Sequence, residues 1–206
     1  MKFLVSGCSF THGADLVNGF MSPENIKQSF SAELATCLNL ELVNVALSGG
    51  SNEYIFHSIV EEIEKYSDVE KVLVVWTYQN RLYWKCNNRH YFMLPSWASS
   101  MVDLENFKMH DKQIGDLWIT GDSHLIVDML LDTHKFFVNN YFDSSELSKK
   151  QAHYEICLEN LCSQKNIHYS SLHANDIFKF LKVHPHHLTV DEHKQAAQFI
   201  YNKFYN

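Results

Sequence analysis

The run Lys71-Val72-Leu73-Val74-Val75-Trp76 opens on one charge and continues as five apolar residues in succession. Side chains of a strand point alternately to opposite faces, so such a run fits only where both faces are buried. The centre of a parallel sheet with helices on each side meets that condition. Further strand-like runs lie at Lys2–Ser6, Glu41–Val45 and Ile167–Ser171, and helical periodicity fills the intervals. Strands alternating with helices predict parallel pairing, crossover connections and a sheet covered on both faces.

The helices are readable from spacing and end signals. Ile26, Phe30, Leu34 and Leu38 recur every four residues, with Ser22 placed to cap and Pro23 at the first helical position, which predicts one helix there. Ile55, Ile59, Ile63 and Tyr66 mark a second helix directly after Gly49-Gly50-Ser51-Asn52. A third is expected over about Leu125–Tyr141 and a fourth over about Leu147–Cys162. In a fifth and final helix, Thr189 and Glu192 form a capping box ahead of Ala196, Ile200 and Phe204 on one face.

A length of 206 residues suits a single domain spanning 1–206. The formal net charge of −7, with no Lys/Arg run, argues against broad electrostatic binding of nucleic acid. Cys8, Cys37, Cys86, Cys157 and Cys162 form no CxxC pair, which suits reduced thiols better than a disulfide framework or a zinc site. The first apolar run is too short for a signal-peptide core, and no segment reaches the length of a membrane span, so the expected location is cytoplasmic.

The segment from Leu82 to Asp122 breaks the alternation. It is aromatic-rich and irregular, with Tyr83, Trp84, Tyr91, Phe92, Trp97, Phe107 and Trp118. A long insertion of this kind reads as a lid, a binding element or a partner surface, or alternatively as a small subdomain extending the core. Trp84 and Trp97 are the candidate substrate-binding residues.

In an open parallel sheet, ligands bind beyond the carboxyl ends of the strands. There the chain places Gly7-Cys8-Ser9 after the first strand, Ser48-Gly49-Gly50 after the second and Thr77-Tyr78-Gln79-Asn80-Arg81 after the third. His184-Pro185-His186-His187 precedes the final helix. A serine hydroxyl, amides at a glycine, side-chain amides and an imidazole are the components of acyl transfer: nucleophile, oxyanion donors and general base. Cys8 is a rival nucleophile, but strand alternation turns it toward the packing.

With these blocks in this order, the chain resembles the SGNH (GDSL-like) hydrolases, specifically the divergent phage-type members that begin SGCSFT. The resemblance runs through GCSFTHG, NVALSGGSN, VLVVWTYQNR and HHLTVDEHKQAAQFI. It implies a flavodoxin-like three-layer α/β/α sandwich with a central parallel sheet, no cofactor, and hydrolysis of a carboxylic ester. The substrate would be a small-molecule or carbohydrate ester, such as an O-acetyl or short acyl group on a carbohydrate or lipid. It places the nucleophile at Ser9, the oxyanion glycine at Gly49, the oxyanion side-chain amide at Gln79 or its neighbour Asn80, and the base at His187.

The chain departs from that family where the supporting aspartate should precede the histidine, because those positions hold Pro185 and His184. The expectation is that a backbone carbonyl within Lys182–His186 holds His187 instead, leaving a slow serine-histidine dyad. Two other readings stand beside it. One is a catalytically impaired member that binds a sugar or acyl group through the aromatic insertion. The other is a metalloprotein built on His184, His186, His187 and His193, although their spacing matches no established metal motif.

Overall fold

A computed structural model of the chain describes residues 1–17, 22–78, 81–86, 89–93, 144–185 and 187–206, with 82–86 and 89–93 described as backbone. In chain order the elements are β1 (Lys2–Ser6), α1 (Ser9–His12), α2 (Pro23–Ile26), α3 (Phe30–Leu38), β2 (Glu41–Asn44), α4 (Asn52–Lys65) and β3 (Val69–Trp76). They continue as β4 (Leu82–Cys86), β5 (Arg89–Met93), α5 (Ser144–Gln164), β6 (His168–His173), α6 (Ala174–Leu181) and α7 (Val190–Phe204). The expected helix over Leu125–Tyr141 and most of the aromatic insertion lie outside the described residues.

Four strands form a parallel sheet in the order β2-β1-β3-β6. Alternation along the two central strands feeds two separate cores. Phe3, Val5, Leu73 and Val75 pack with Phe30 and Leu34 of α3, Ile177 and Phe178 of α6, and Ala196 and Ile200 of α7. On the opposite face Leu4, Val72, Val74 and Trp76 meet Ile55, Ile59 and Ile63 of α4 and Leu158 and Cys162 of α5. The result is an α/β/α three-layer sandwich whose centre is the apolar run Val72–Trp76, all of it buried. Among the described residues, no helix is long and apolar enough to cross a membrane.

The segment read as irregular from Leu82 opens instead as an antiparallel pair, with Leu82 opposite Met93 and Cys86 opposite Arg89. Its aromatic composition suits a pleated ribbon.

A second difference lies at the predicted helix through Ile26 and Leu38, which is two helices. Ser22 caps and Pro23 opens α2 as expected, but α2 stops at Ile26. In a continuous helix the Phe30 N–H would donate to the Ile26 carbonyl. Here Ser29 takes that carbonyl with both its N–H (3.1 Å) and its hydroxyl (2.7 Å). The Phe30 N–H donates to His193 Nδ1 at 3.0 Å, and the two rings stack. A bond from the far end of the chain therefore replaces one inside the helix, and it pins α7 to α3.

Burial holds the His193 imidazole neutral by pushing its pKa down to about 4. An unfolded histidine titrates near 6.5, so between pH 6.5 and 4 the unfolded chain takes up a proton that the folded chain refuses. Stability must fall across that window as pH falls, with a limiting slope of about 1.4 kcal/mol per pH unit from this one group. Burial lowers the pKa of His12 as well and acts in the same direction. Urea unfolding at stepped pH should show a clearly flatter dependence for His193→Asn, whose side-chain oxygen can replace Nδ1 as acceptor without taking a proton.

Candidate active site

The turn after β1 is built to hold one serine. Cys8 caps α1 in an extended conformation, and its carbonyl accepts from Thr11 N (3.0 Å) and His12 N (3.1 Å). Ser9 is the first helical residue. Its carbonyl accepts from both Gly13 N and Ala14 N at 3.0 Å, which ends the helix after a single turn. Gly13 makes that ending at φ 81°, and a Cβ there would stand 2.8 Å from Leu16 Cδ1 and 2.9 Å from the Asn25 carbonyl. Both conformation and space therefore require glycine. Ser9 is recessed, at 5% exposure, and Cys8 is fully buried in the core, as alternation along the chain predicts.

The loop after β2 is strapped to this turn. Asn44 donates from Nδ2 to the Thr11 carbonyl (3.1 Å) and to Ser31 Oγ (2.8 Å), and accepts from Ala46 N at 2.9 Å. Leu47 N donates to the Gly7 carbonyl at 3.2 Å. Gly50 N then closes a turn on Leu47 O at 2.9 Å, with Gly49 at φ 75°, the third-position geometry of a type II turn. Gly49 thus stands in a loop hydrogen-bonded to the residue two before Ser9.

Asn52, at the start of α4, carries a role that spacing did not reveal. Its Oδ1 accepts from Thr77 N at 2.8 Å, and its Nδ2 donates to the Thr77 carbonyl (3.2 Å) and to Gln151 Oε1 (2.9 Å). The amide is consumed in clamping the chain just past β3, so it serves the site by fixing the loop. On the other side, His173 Nε2 donates to the same Thr77 carbonyl at 2.9 Å, while its Nδ1 accepts from Asn175 N. Arg81 donates to the Gly50 carbonyl at 3.1 Å with its guanidinium over the Tyr78 ring.

His187 arrives from the loop between α6 and α7. Its ring meets the edge of Phe10, the residue after Ser9, with centroids 5.9 Å apart. The partner of Nδ1 is a carboxylate rather than the backbone carbonyl expected from Lys182–His186. Nδ1 lies 2.6 Å from Oδ2 of Asp15, a carboxylate carried by the loop that follows α1. A carboxylate can only accept, so Nδ1 is the donor in this bond and, whenever the ring is neutral, carries its one proton. The local signal for Asp15 was weak: an acid six residues after Ser9, with its partner far along the chain.

Of the other expected residues, Gln79, Asn80, Trp97 and His186 lie outside the described residues, and Trp84 falls in β4, described as backbone. Among the described residues, no group of three or more His, Cys, Asp or Glu side chains is arranged to hold a metal. His193, one member of the alternative metal set, is buried against Phe30. Ser9 opens α1 directly after β1, Gly49 lies in the loop after β2, and His187 meets Phe10, the residue after Ser9.

A three-layer parallel α/β sandwich is the class of architecture the fold defines. No protein-family model and no curated protein matches the chain. Among solved structures, it is similar to a protein described as lipolytic and of the G-D-S-L family from Desulfitobacterium hafniense DCB-2, at 15% identity and TM-score 0.39, covering 98% of both chains. It is also similar to the esterase EstA of Pseudoalteromonas sp., at 10% identity and TM-score 0.38, over 98% of this chain and 94% of that one. A third is the acetylxylan esterase Axe2 of Geobacillus stearothermophilus, at 13% identity and TM-score 0.39, over 100% of this chain and 94% of that one.

The Asn52 clamp gives a direct test of how the site's scaffold is held. Asn52→Ala leaves the Thr77 N–H without its partner in a buried position and should destabilise the fold by about 2 kcal/mol or more. The urea midpoint should drop with the slope of the transition unchanged.

Proposed function

We propose that the chain is a serine hydrolase that cleaves a carboxylic ester, with Ser9 as nucleophile and His187 as general base. The observation that carries this reading is the His187 ring, held beside Phe10 with Nδ1 as donor. That leaves Nε2 as the proton acceptor at the sheet edge where Ser9 opens α1. Two other described histidines do not fit the role. His173 uses both ring nitrogens on backbone groups, and His193 gives its Nδ1 to Phe30.

In the first half-reaction Ser9 Oγ bonds to the ester carbonyl carbon while its proton passes to His187 Nε2. The carbonyl oxygen gains negative charge, and backbone N–H groups of Ser9 and Gly49, with the side-chain amide of Gln79 or Asn80, are the donors proposed to receive it. Each such donor is typically worth about 10²–10³ in rate. Collapse breaks the bond to the alcohol oxygen, which leaves with the proton from His187. Water then repeats the sequence on the acyl-enzyme, giving up a proton to His187 and releasing the carboxylic acid and free Ser9. No step requires a cofactor. A short acyl or O-acetyl ester of a carbohydrate or lipid is the substrate class proposed, with Trp84 and Trp97 contributing aromatic surface.

Ser9→Ala should lower p-nitrophenyl acetate turnover by at least about 10³-fold. Its thermal midpoint should stay within a few degrees of wild type, because one small hydroxyl is removed without opening a large cavity. A fluorophosphonate probe should label wild type and not the variant. Turnover equal to wild type would exclude Ser9 as nucleophile.

Trp84→Ala and Trp97→Ala should change the relative rates on acetyl, butyryl and octanoyl esters more than the rate on the best of them. Unaltered ratios would remove both residues from substrate choice.

A further inference from the structure

We propose that Asp15 is the acid of this site: a positioning residue that holds His187 in its basic tautomer and faces the imidazolium formed during catalysis. The inference rests on the esterase reading above. It assigns to the nucleophile's own loop a carboxylate that the sequence lacks at His184 and Pro185.

Three observations carry it. The first is contact: Asp15 Oδ2 and His187 Nδ1 are 2.6 Å apart, close enough for a short, strong hydrogen bond between imidazole and carboxylate. The second is how Asp15 is presented. It sits at φ 68°, the left-handed region that few residues other than glycine adopt and that aspartate and asparagine tolerate best. The chain on either side is fixed. Gly13 and Ala14 donate to the Ser9 carbonyl, Leu16 N donates to Gly13 O at 3.3 Å, and Val17 N donates to Oδ1 of the fully buried Asn25 at 2.8 Å. Ser9 and Asp15 are therefore two points on one hydrogen-bonded loop.

The third observation is exposure. The Asp15 side chain is 52% exposed and that of His187 is 32% exposed. Ion pairs so open to water add little to stability, so holding the fold together does not account for an aspartate kept in an uncommon conformation to meet one histidine. Orientation of the ring accounts for it. With Asp15 in place the Nδ1 proton stays on His187 throughout. The proton that moves is the one from Ser9, which enters and leaves at Nε2.

The test uses the full chain as wild type, Asp15→Asn, Asp15→Glu and Ser9→Ala. Asparagine has the same shape and tolerates the same backbone conformation, so folding is preserved while the charge is removed. With p-nitrophenyl acetate, Asp15→Asn should lower kcat by about 10³- to 10⁴-fold with KM changed only a few-fold, and Asp15→Glu should recover part of the loss. Nitrogen-15 NMR of histidine-labelled protein should show His187 protonated at Nδ1 in wild type and should show that preference lost in Asp15→Asn. Wild-type kcat in Asp15→Asn beside an inactive Ser9→Ala would overturn the role of Asp15 and leave the esterase reading intact. A His187 tautomer unchanged by Asp15→Asn would overturn that role in the same way. Equal turnover by wild type and Ser9→Ala would overturn both.

Discussion

From Val72 to Trp76, strand β3 offers no face to water, and the other layers are arranged around that fact. Leu73 and Val75 commit one side to α3, α6 and α7, while Val72, Val74 and Trp76 commit the other to α4 and α5. Where the buried run ends, at Trp76, the next peptide is gripped from two directions. Asn52 holds both the N–H and the carbonyl of Thr77, and His173 shares that carbonyl. The loops after β2 and β6 are thereby registered against one buried peptide. The edge that carries the candidate chemistry inherits its rigidity from the strand beneath it.

The imidazoles show how surroundings assign roles to one side-chain type. His193, buried and stacked on Phe30, is held neutral and works as a fixed acceptor for a backbone amide. His173 caps α6 through Nδ1 and donates through Nε2. Burial also keeps His12 toward its neutral form. His187 instead meets the Asp15 carboxylate at 2.6 Å. A histidine-rich C-terminal region thus resolves into separate tasks, most of them architectural, which is why counting histidines along the sequence suggested a metal cluster.

The features legible in the sequence were those whose cause is local. The apolar run of β3, the Ser22-Pro23 helix start and the Thr189/Glu192 capping box all arise from residues within a few positions of one another. The order of the loops could also be read, because strand–helix alternation dictates which ends share an edge. Bonds between distant residues could not be read. The break between α2 and α3 depends on a histidine 163 positions away, and the acid facing His187 lies 172 positions away. The family resemblance placed an acid two or three residues before His187, where Pro185 and His184 stand. Three-dimensional proximity does not require that neighbourhood, and no periodicity marks an aspartate that has moved to another loop.

The Asp15–His187 bond also sets an order of assembly. A chain emerging from the ribosome presents Ser9, Asp15 and Gly49 early, in loops joined by hydrogen bonds such as Leu47 N to Gly7 O and Asn44 Nδ2 to Thr11 O. The imidazole comes 172 residues after its partner, and α7, which closes the core over α3 through His193, comes later still. Closing so long a loop is entropically costly and is repaid only when the last helix docks. A nascent or truncated chain that stops short of His187 therefore leaves Asp15 without the imidazole it meets in the folded domain, and the pair forms only when nearly all of the domain has folded.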